Sequence, residues 1–365
     1  MAGLSCGIVG LPNVGKSTLF NAVTASRAPA SNYPFCTIDP NVGVVEVYDP
    51  RLEVLKNLSG SEKILYATTE FVDIAGLVEG ASKGEGLGNA FLTHIRNVDA
   101  IIHVVRCFES GDVIHVKGRV NPIEDIEIIN LELILSDLSS CEASLQRLEK
   151  QLKVKKDVEP VFKALSKVRD HLNQTLPVRS LVLTDEEKEL LLPYPFLTMK
   201  RVLYAANVSE NDVPSMENPY VQQVREFASK EGNSVIPICA KIEEEIAQLP
   251  AAERKEFLES LGFSESGLQR LIKESFHMLG LISYITTGEI ETRAWTIHKG
   301  MTAQQAAGKI HSDIEKGFIR AEVITFDDFV NFKGRVGCKE AGKVRSEGKQ
   351  YIVQDGDIIL FLHSS

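Results

Sequence analysis

With 365 residues and 44% hydrophobic content, the chain is long enough for two or three domains with a sizeable core. A net charge of -10 excludes a wholesale basic nucleic-acid coat, so any contact with nucleic acid should be a local patch. The six cysteines are scattered without a C-x-x-C pair, and no apolar run approaches the ~18 residues of a membrane span, so reduced thiols and no membrane span are expected.

The N-terminal "MAGLSCGIVG" lacks the charged n-region and long apolar core of a signal peptide, and a cytoplasmic location is expected. Leu4 to Val9 reads as a short strand. Gly10 to Ser17 then spells G-x-x-x-x-G-K-S, and a helical pattern begins at Thr18. In that order the glycines let backbone N–H groups turn inward, and the helix adds its positive N-terminal end, so phosphate oxygens meet donors and a dipole. Lys16 is placed for the β and γ phosphates, and the Ser17 hydroxyl for Mg²⁺.

Thr37 follows in the Pro-containing stretch "SNYPFCTIDPNVG", where a threonine can complete the Mg²⁺ shell. The apolar "EFVDIAGL" ends in D-x-x-G. Asp73 can steer Mg²⁺ through water, and the Gly76 N–H can touch the γ-phosphate. Five glycines lie between Gly76 and Gly88, the composition of a loop that is costly to order and easy to switch.

"AIIHVVRCF" from Ala100, "VLYAANV" ending at Val208 and "VIPICAK" ending at Lys241 read as further buried strands of a parallel sheet flanked by helices. About ninety residues separate the first two, too many for a plain connection. Leu131, Ile134, Leu138, Cys141, Leu145, Leu148 and Leu152 repeat at 3-4 spacing, as do Val158, Val161, Leu165, Val168 and Leu172. These predict an antiparallel coiled-coil hairpin inserted into the domain. From Arg147 to Arg169 it carries eight Lys or Arg against three acids, a basic stripe suited to RNA phosphates. From Leu281 onward, short strand-like runs surround one helical stretch and predict a small β-grasp-like module, with Lys316, Arg320 and Lys343 as candidate RNA contacts.

The strand end "YAANVSEND" stands where a GTP-binding protein carries N-K-x-D. Val208 replaces the lysine, and Glu210 lengthens the carboxylate by one methylene. Adenine lacks the N1–H and N2–H₂ donors that the aspartate accepts from, so a displaced carboxylate relaxes guanine selectivity without by itself creating adenine selectivity.

Together "YPFCTIDPNVG", "GLVEGASKGEGLGNAFL", "NVSE" and "YIVQDGDIILF" resemble the Obg-like ATPase (YchF) family almost end to end. The resemblance implies a Mg²⁺-dependent P-loop ATPase that prefers ATP to GTP and associates with ribosomes. It implies phosphate binding by Asn13, Val14, Gly15, Lys16, Ser17 and Thr18, Mg²⁺ held by Ser17 and Thr37, and a K⁺ site at Asn13. Asn207, Val208 and Glu210 would face the base. It names the C-terminal module a TGS domain, with rRNA contact through that module and the hairpin. Leu77 follows D-x-x-G where many GTPases have a water-orienting glutamine, so slow intrinsic turnover is expected.

The expected architecture is α/β: an Obg-type P-loop NTPase domain at 3–257 interrupted by the hairpin at about 125–200, a helical linker at 258–279 and the TGS domain at 280–363. A monomer is expected. A GTPase of similar build and a ribosome-binding scaffold with incidental hydrolysis are the alternatives.

Overall fold

The computed structural model describes residues 4–27, 41–74, 88–109, 119–154 and 156–364. Among them run twelve strands: β1 (Ser5–Val9), β2 (Val42–Val47), β3 (Lys63–Leu65), β4 (Ala67–Asp73), β5 (Ala100–Arg106), β6 (Arg201–Asn207), β7 (Ser234–Ile238), β8 (Leu281–Thr287), β9 (Glu291–His298), β10 (Phe318–Ile324), β11 (Arg345–Glu347) and β12 (Ile358–His363). They form two six-stranded sheets, ordered β2-β4-β1-β5-β6-β7 and β11-β10-β12-β8-β9-β3. No helix among the described residues is long and apolar enough to cross a membrane.

In the first sheet, β4, β1, β5, β6 and β7 pair in parallel. Strands β1 and β5 are buried along their whole length, as parallel strands covered on both faces must be. The register brings the strand ends to one edge. Ile8 lies opposite Asp73, Val9 opposite His103, and Asn207 opposite both Arg106 and Ile238. The order reverses at β1, which places the phosphate loop at the crevice where open α/β sheets bind ligands.

The predicted hairpin consists of helices Pro122–Leu152 and Glu159–Leu172. Asn121 caps the first, accepting from the Glu124 N–H, and Pro122 opens it without wasting a donor. The seam joins Ile134, Cys141, Leu145 and Leu148 to Ala164, Leu165, Val168 and Leu172. Leu131 continues the repeat in sequence but is 42% exposed, so the seam begins one turn later. Buried Asp137 fastens the returning chain: it accepts 2.7 Å bonds from the Leu197 N–H, the Thr198 N–H and the Thr198 hydroxyl.

The chain divides into two compact units, one built chiefly on Glu70–Leu271 with the N-terminal strand and helix, the other on Val44–Thr69 and Ile272–Ser365. The grouping differs from the sequence boundaries, because residues 44–69 fold with the C-terminal part. Strand β3 adds to β9 in parallel, Lys63 facing Glu291 and Leu65 facing Arg293. The Ser61 hydroxyl donates to the Gly288 carbonyl at 2.6 Å. Helix Pro50–Ser59 begins at Asp49, whose carboxylate binds Arg51, and Arg51 also reaches Asp355 at 3.0 Å. Gly356 sits at φ 81°, and a side chain there would lie 2.1 Å from the Arg51 guanidinium. The expected linker contains helix Gly267–Met278, in which the division falls. The core of the second unit gathers Tyr284, Ile297, Ala306, Phe318, Val323 and Ile359.

Central strand β5 also buries a histidine. His103 is 2% exposed, lies 5.7 Å from the Tyr204 ring, and its Nε2 meets no hydrogen-bond partner among the described residues. Burial, reinforced by the Arg179 charge, lowers its pKa from 6.5 to about 3. The unfolded chain therefore takes the proton first. Stability from neutral His103 is whole above pH 6.5 and is lost as pH falls toward about 3. His103→Phe is expected to remove that slope. In urea unfolding, the stability lost between pH 7 and pH 4.5 should be smaller in the variant by up to about 2–3 kcal/mol.

Candidate functional site

Val9 ends β1, and the chain turns through the phosphate loop into helix Lys16–Ala25. Leu19 N–H donates to the Gly15 carbonyl at 2.9 Å, closing the first helical turn. That turn carries no acidic side chain, which leaves its positive end open to an anion. Asn13 takes φ 61°, a left-handed conformation that asparagine tolerates better than most residues. Asn13 and Ser17 are exposed, whereas Val14 is buried, so Val14 can offer a ligand only backbone. The Lys16 ammonium and the Asp73 carboxylate form a direct ion pair. The two groups expected to meet the γ-phosphate and its metal are thus neighbours.

The base-side motif lies beside this loop. Asn207, 4% exposed, donates from Nδ2 to the Val14 carbonyl at 2.8 Å and accepts at Oδ1 from the Ala240 N–H at 3.0 Å. Its amide thus ties the phosphate loop to the start of helix Ala240–Gln248. Gly15, at φ 95°, is needed for this approach: a β-carbon there would stand 2.2 Å from Asn207 Nδ2. The two helices are joined again by Asn21, which donates to Glu244 at 2.9 Å.

A cleft of about 700 Å³ runs between these parts, lined by Asn13, Gly15 and Thr18 at one end and by Phe108, Val208, Glu210 and Lys241 at the other. Such a volume suits a nucleoside-sized ligand. Val208 is 2% exposed and its N–H donates to the Ile238 carbonyl. Asp212 braces the turn by accepting from the Ser209 hydroxyl and from Asn218. Glu210 projects from this turn and pairs with Lys241 at 2.7 Å. The sequence places Lys241 at the end of "ICAK", where GTPases usually carry an S-A-K loop whose backbone supports the base, but it marks neither the Lys241 side chain nor Phe108 as a site residue. Phe108 closes the run "AIIHVVRCF" read as a buried strand and lies two residues beyond the end of β5. Its ring packs 4.7 Å from the buried Arg106 guanidinium, whose Nε donates to the Phe108 carbonyl.

Thr37, Gly76 and Leu77 lie outside the described residues, as does Cys36. Among the described residues no group of three or more His, Cys, Asp or Glu side chains could hold a metal by itself. The exposed Ser17 hydroxyl at the phosphate loop is the kind of oxygen donor that fits an ion such as Mg²⁺ held mainly through substrate phosphates.

Asn207→Ala strips partners from a buried carbonyl and a buried N–H, and is expected to cost about 2–3 kcal/mol. Asn207→Asp restores the acceptor for Ala240 but turns a carboxylate oxygen toward the Val14 carbonyl. It should be no better, and both variants should bind nucleotide more weakly. Urea midpoints and nucleotide titrations check this, and a fully stable Asn207→Asp protein would exclude the bridging role.

Comparison with known proteins agrees with this geometry. A family model described as a 50S ribosome-binding GTPase matches residues 5–140. A second, named YchF-GTPase_C and described as a protein of unknown function, matches residues 281–364. The ribosome-binding ATPase YchF of Escherichia coli O157:H7 is 54% identical over 361 residues, 99% of each chain. That of Bacillus subtilis is 55% identical over 360 residues, 98% of each chain. The structure of the Schizosaccharomyces pombe YchF GTPase superposes with a TM-score of 0.89 at 38% identity, covering 99% of this chain and 98% of that one. The fold, the phosphate loop and this full-length identity place the chain in the YchF family.

Proposed function

We propose that the protein is a regulatory, cytoplasmic ATPase that hydrolyses ATP in preference to GTP and whose nucleotide state governs binding to the ribosome. The observation that carries this reading is the Asn207 bridge, which sets the modified tetrapeptide beside a complete phosphate loop. Phosphates would lie on the backbone of residues 13–18, with Lys16 compensating charge that develops in the transition state. Mg²⁺ would be held by the phosphates with Ser17 and Thr37, and by Asp73 through water. Asn13 is the candidate K⁺ ligand. When bound, the metal supplies charge neutralisation across the β and γ phosphates. Binding would require Lys16 to exchange Asp73 for phosphate, which would free that carboxylate to help hold the metal. Gly76 would donate its N–H to the γ-phosphate. Leu77 cannot orient the attacking water, so turnover should be slow until K⁺ or a partner assists.

The ribosome enters from the relatives, which are named ribosome-binding ATPases. The hairpin is the proposed rRNA contact, with the C-terminal unit as a second. The fold redistributes the hairpin's charge. Lys163 pairs with Glu159, Lys167 with Glu187 and Arg169 with Asp170, while Arg147 donates to the Ala143 carbonyl and the Ser144 hydroxyl. Lys150, Lys153 and Lys156 are exposed near the turn and are the stronger candidates; Lys155 lies outside the described residues. In the C-terminal unit Lys316 is exposed, whereas Arg320 and Lys343 lie near Glu322 and Asp328. A GTPase remains the second reading, favoured by the name of the S. pombe relative.

Titration with ATP and GTP separates the two readings: tighter GTP binding would exclude the first. Lys16→Ala should abolish hydrolysis and the nucleotide dependence of ribosome binding; if that dependence survives, the protein is a scaffold. Lys150→Glu, Lys153→Glu and Lys156→Glu together should weaken sedimentation with ribosomes and flatten its salt dependence by about two to three units of log–log slope.

A further inference from the structure

Lys241 is the second residue of helix Ala240–Gln248, where the helix dipole disfavours a cation. Its backbone is fixed, because the preceding Ala240 N–H is held by Asn207. Its ammonium lies 2.7 Å from Glu210 Oε2 inside the cleft, and Glu210 raises its pKa, keeping it charged. Of the other carboxylates lining the cleft, Glu244 accepts from Asn21 and Glu109 from Tyr220. We propose that the Glu210–Lys241 ion pair, rather than Glu210 alone, reads the purine edge, and that Lys241 is a specificity-determining side chain that disfavours guanine. The proposal rests on the ATP reading above and deepens it.

The chemistry follows from the donors and acceptors. Guanine presents two parallel donors, N1–H and N2–H₂, and a carboxylate meets both only with both oxygens free. Here one oxygen faces an ammonium, which has three donors and no acceptor. Admitting guanine in that pose requires the ion pair to open. Adenine presents one donor, N6–H₂, and one acceptor, N1. The pair offers one of each, Glu210 Oε1 and Lys241 Nζ, without opening. Both side chains are about half exposed, so the pair adds little to stability. Selectivity needs only a difference between two affinities, and a several-fold effect is the expected size.

The test is equilibrium titration of the full chain with ATP, GTP and ITP, the last lacking the N2 amino group. Lys241→Met should tighten GTP about three- to tenfold, tighten ITP less, and weaken ATP. Lys241→Arg should keep the wild-type ratio. Glu210→Gln should make Lys241→Met silent, since the carboxylate that the lysine restrains is gone. An unchanged ATP:GTP ratio in Lys241→Met overturns the proposal, as does an equal gain for ITP and GTP. A wild-type protein that binds GTP as tightly as ATP overturns the ATP reading instead. The proposal about Lys241 is then decided by whether Lys241→Met still gains for GTP over ITP.

Discussion

The amide of Asn207 is the joint on which the nucleotide cleft depends. A carboxamide has one acceptor side and one donor side, and here each is spent on buried backbone: the Val14 carbonyl in the phosphate loop and the Ala240 N–H at the start of the base-side helix. The Asn207 backbone carbonyl accepts from the Cys107 N–H as well, at 2.8 Å. One residue at the end of β6 therefore ties together the chain following β1, β5 and β7. Unpaired buried polar groups are costly, so the three loops are held in one arrangement rather than a range of them. Gly15 is explained by the same contact, since the approach of the amide leaves no room for a β-carbon.

That joint holds the backbone on which base recognition is proposed. Glu210 lies three residues beyond Asn207, and Lys241 directly follows Ala240, so both are carried on backbone that the amide holds. The remaining wall comes from Phe108, steadied by a buried arginine. The phosphate end presents backbone and a cation, while the base end presents an ion pair and a ring. A triphosphate nucleotide, anionic at one end and neutral with polar edges at the other, is complementary to that arrangement.

Charge on the hairpin illustrates how folding changes a count made along the chain. In sequence the stripe from Arg147 to Arg169 has an excess of five positive charges. In space, Glu187 reaches Lys167 from twenty residues away, and Asp170 adjoins Arg169. The excess is thereby concentrated around the turn, where Lys150, Lys153 and Lys156 are exposed. Phosphate recognition depends on local potential rather than on a segment total.

Elements whose signals are local can be read along the chain. The phosphate loop is a contiguous pattern of glycines, lysine and serine whose conformation is set by its own backbone, and the hairpin is a 3-4 repeat that only paired helices bury. The parallel strands were legible because strands covered on both faces are apolar throughout. Tertiary structure alone decided the contacts made across long separations. The partnering of β3 with β9, the pairing of Lys241 with Glu210 and the exposure of Leu131 at the head of its repeat leave no mark in spacing. Each depends on which distant segment arrives alongside. A three-residue strand, a lone lysine or a leucine is compatible with many neighbours, and only the folded chain supplies one.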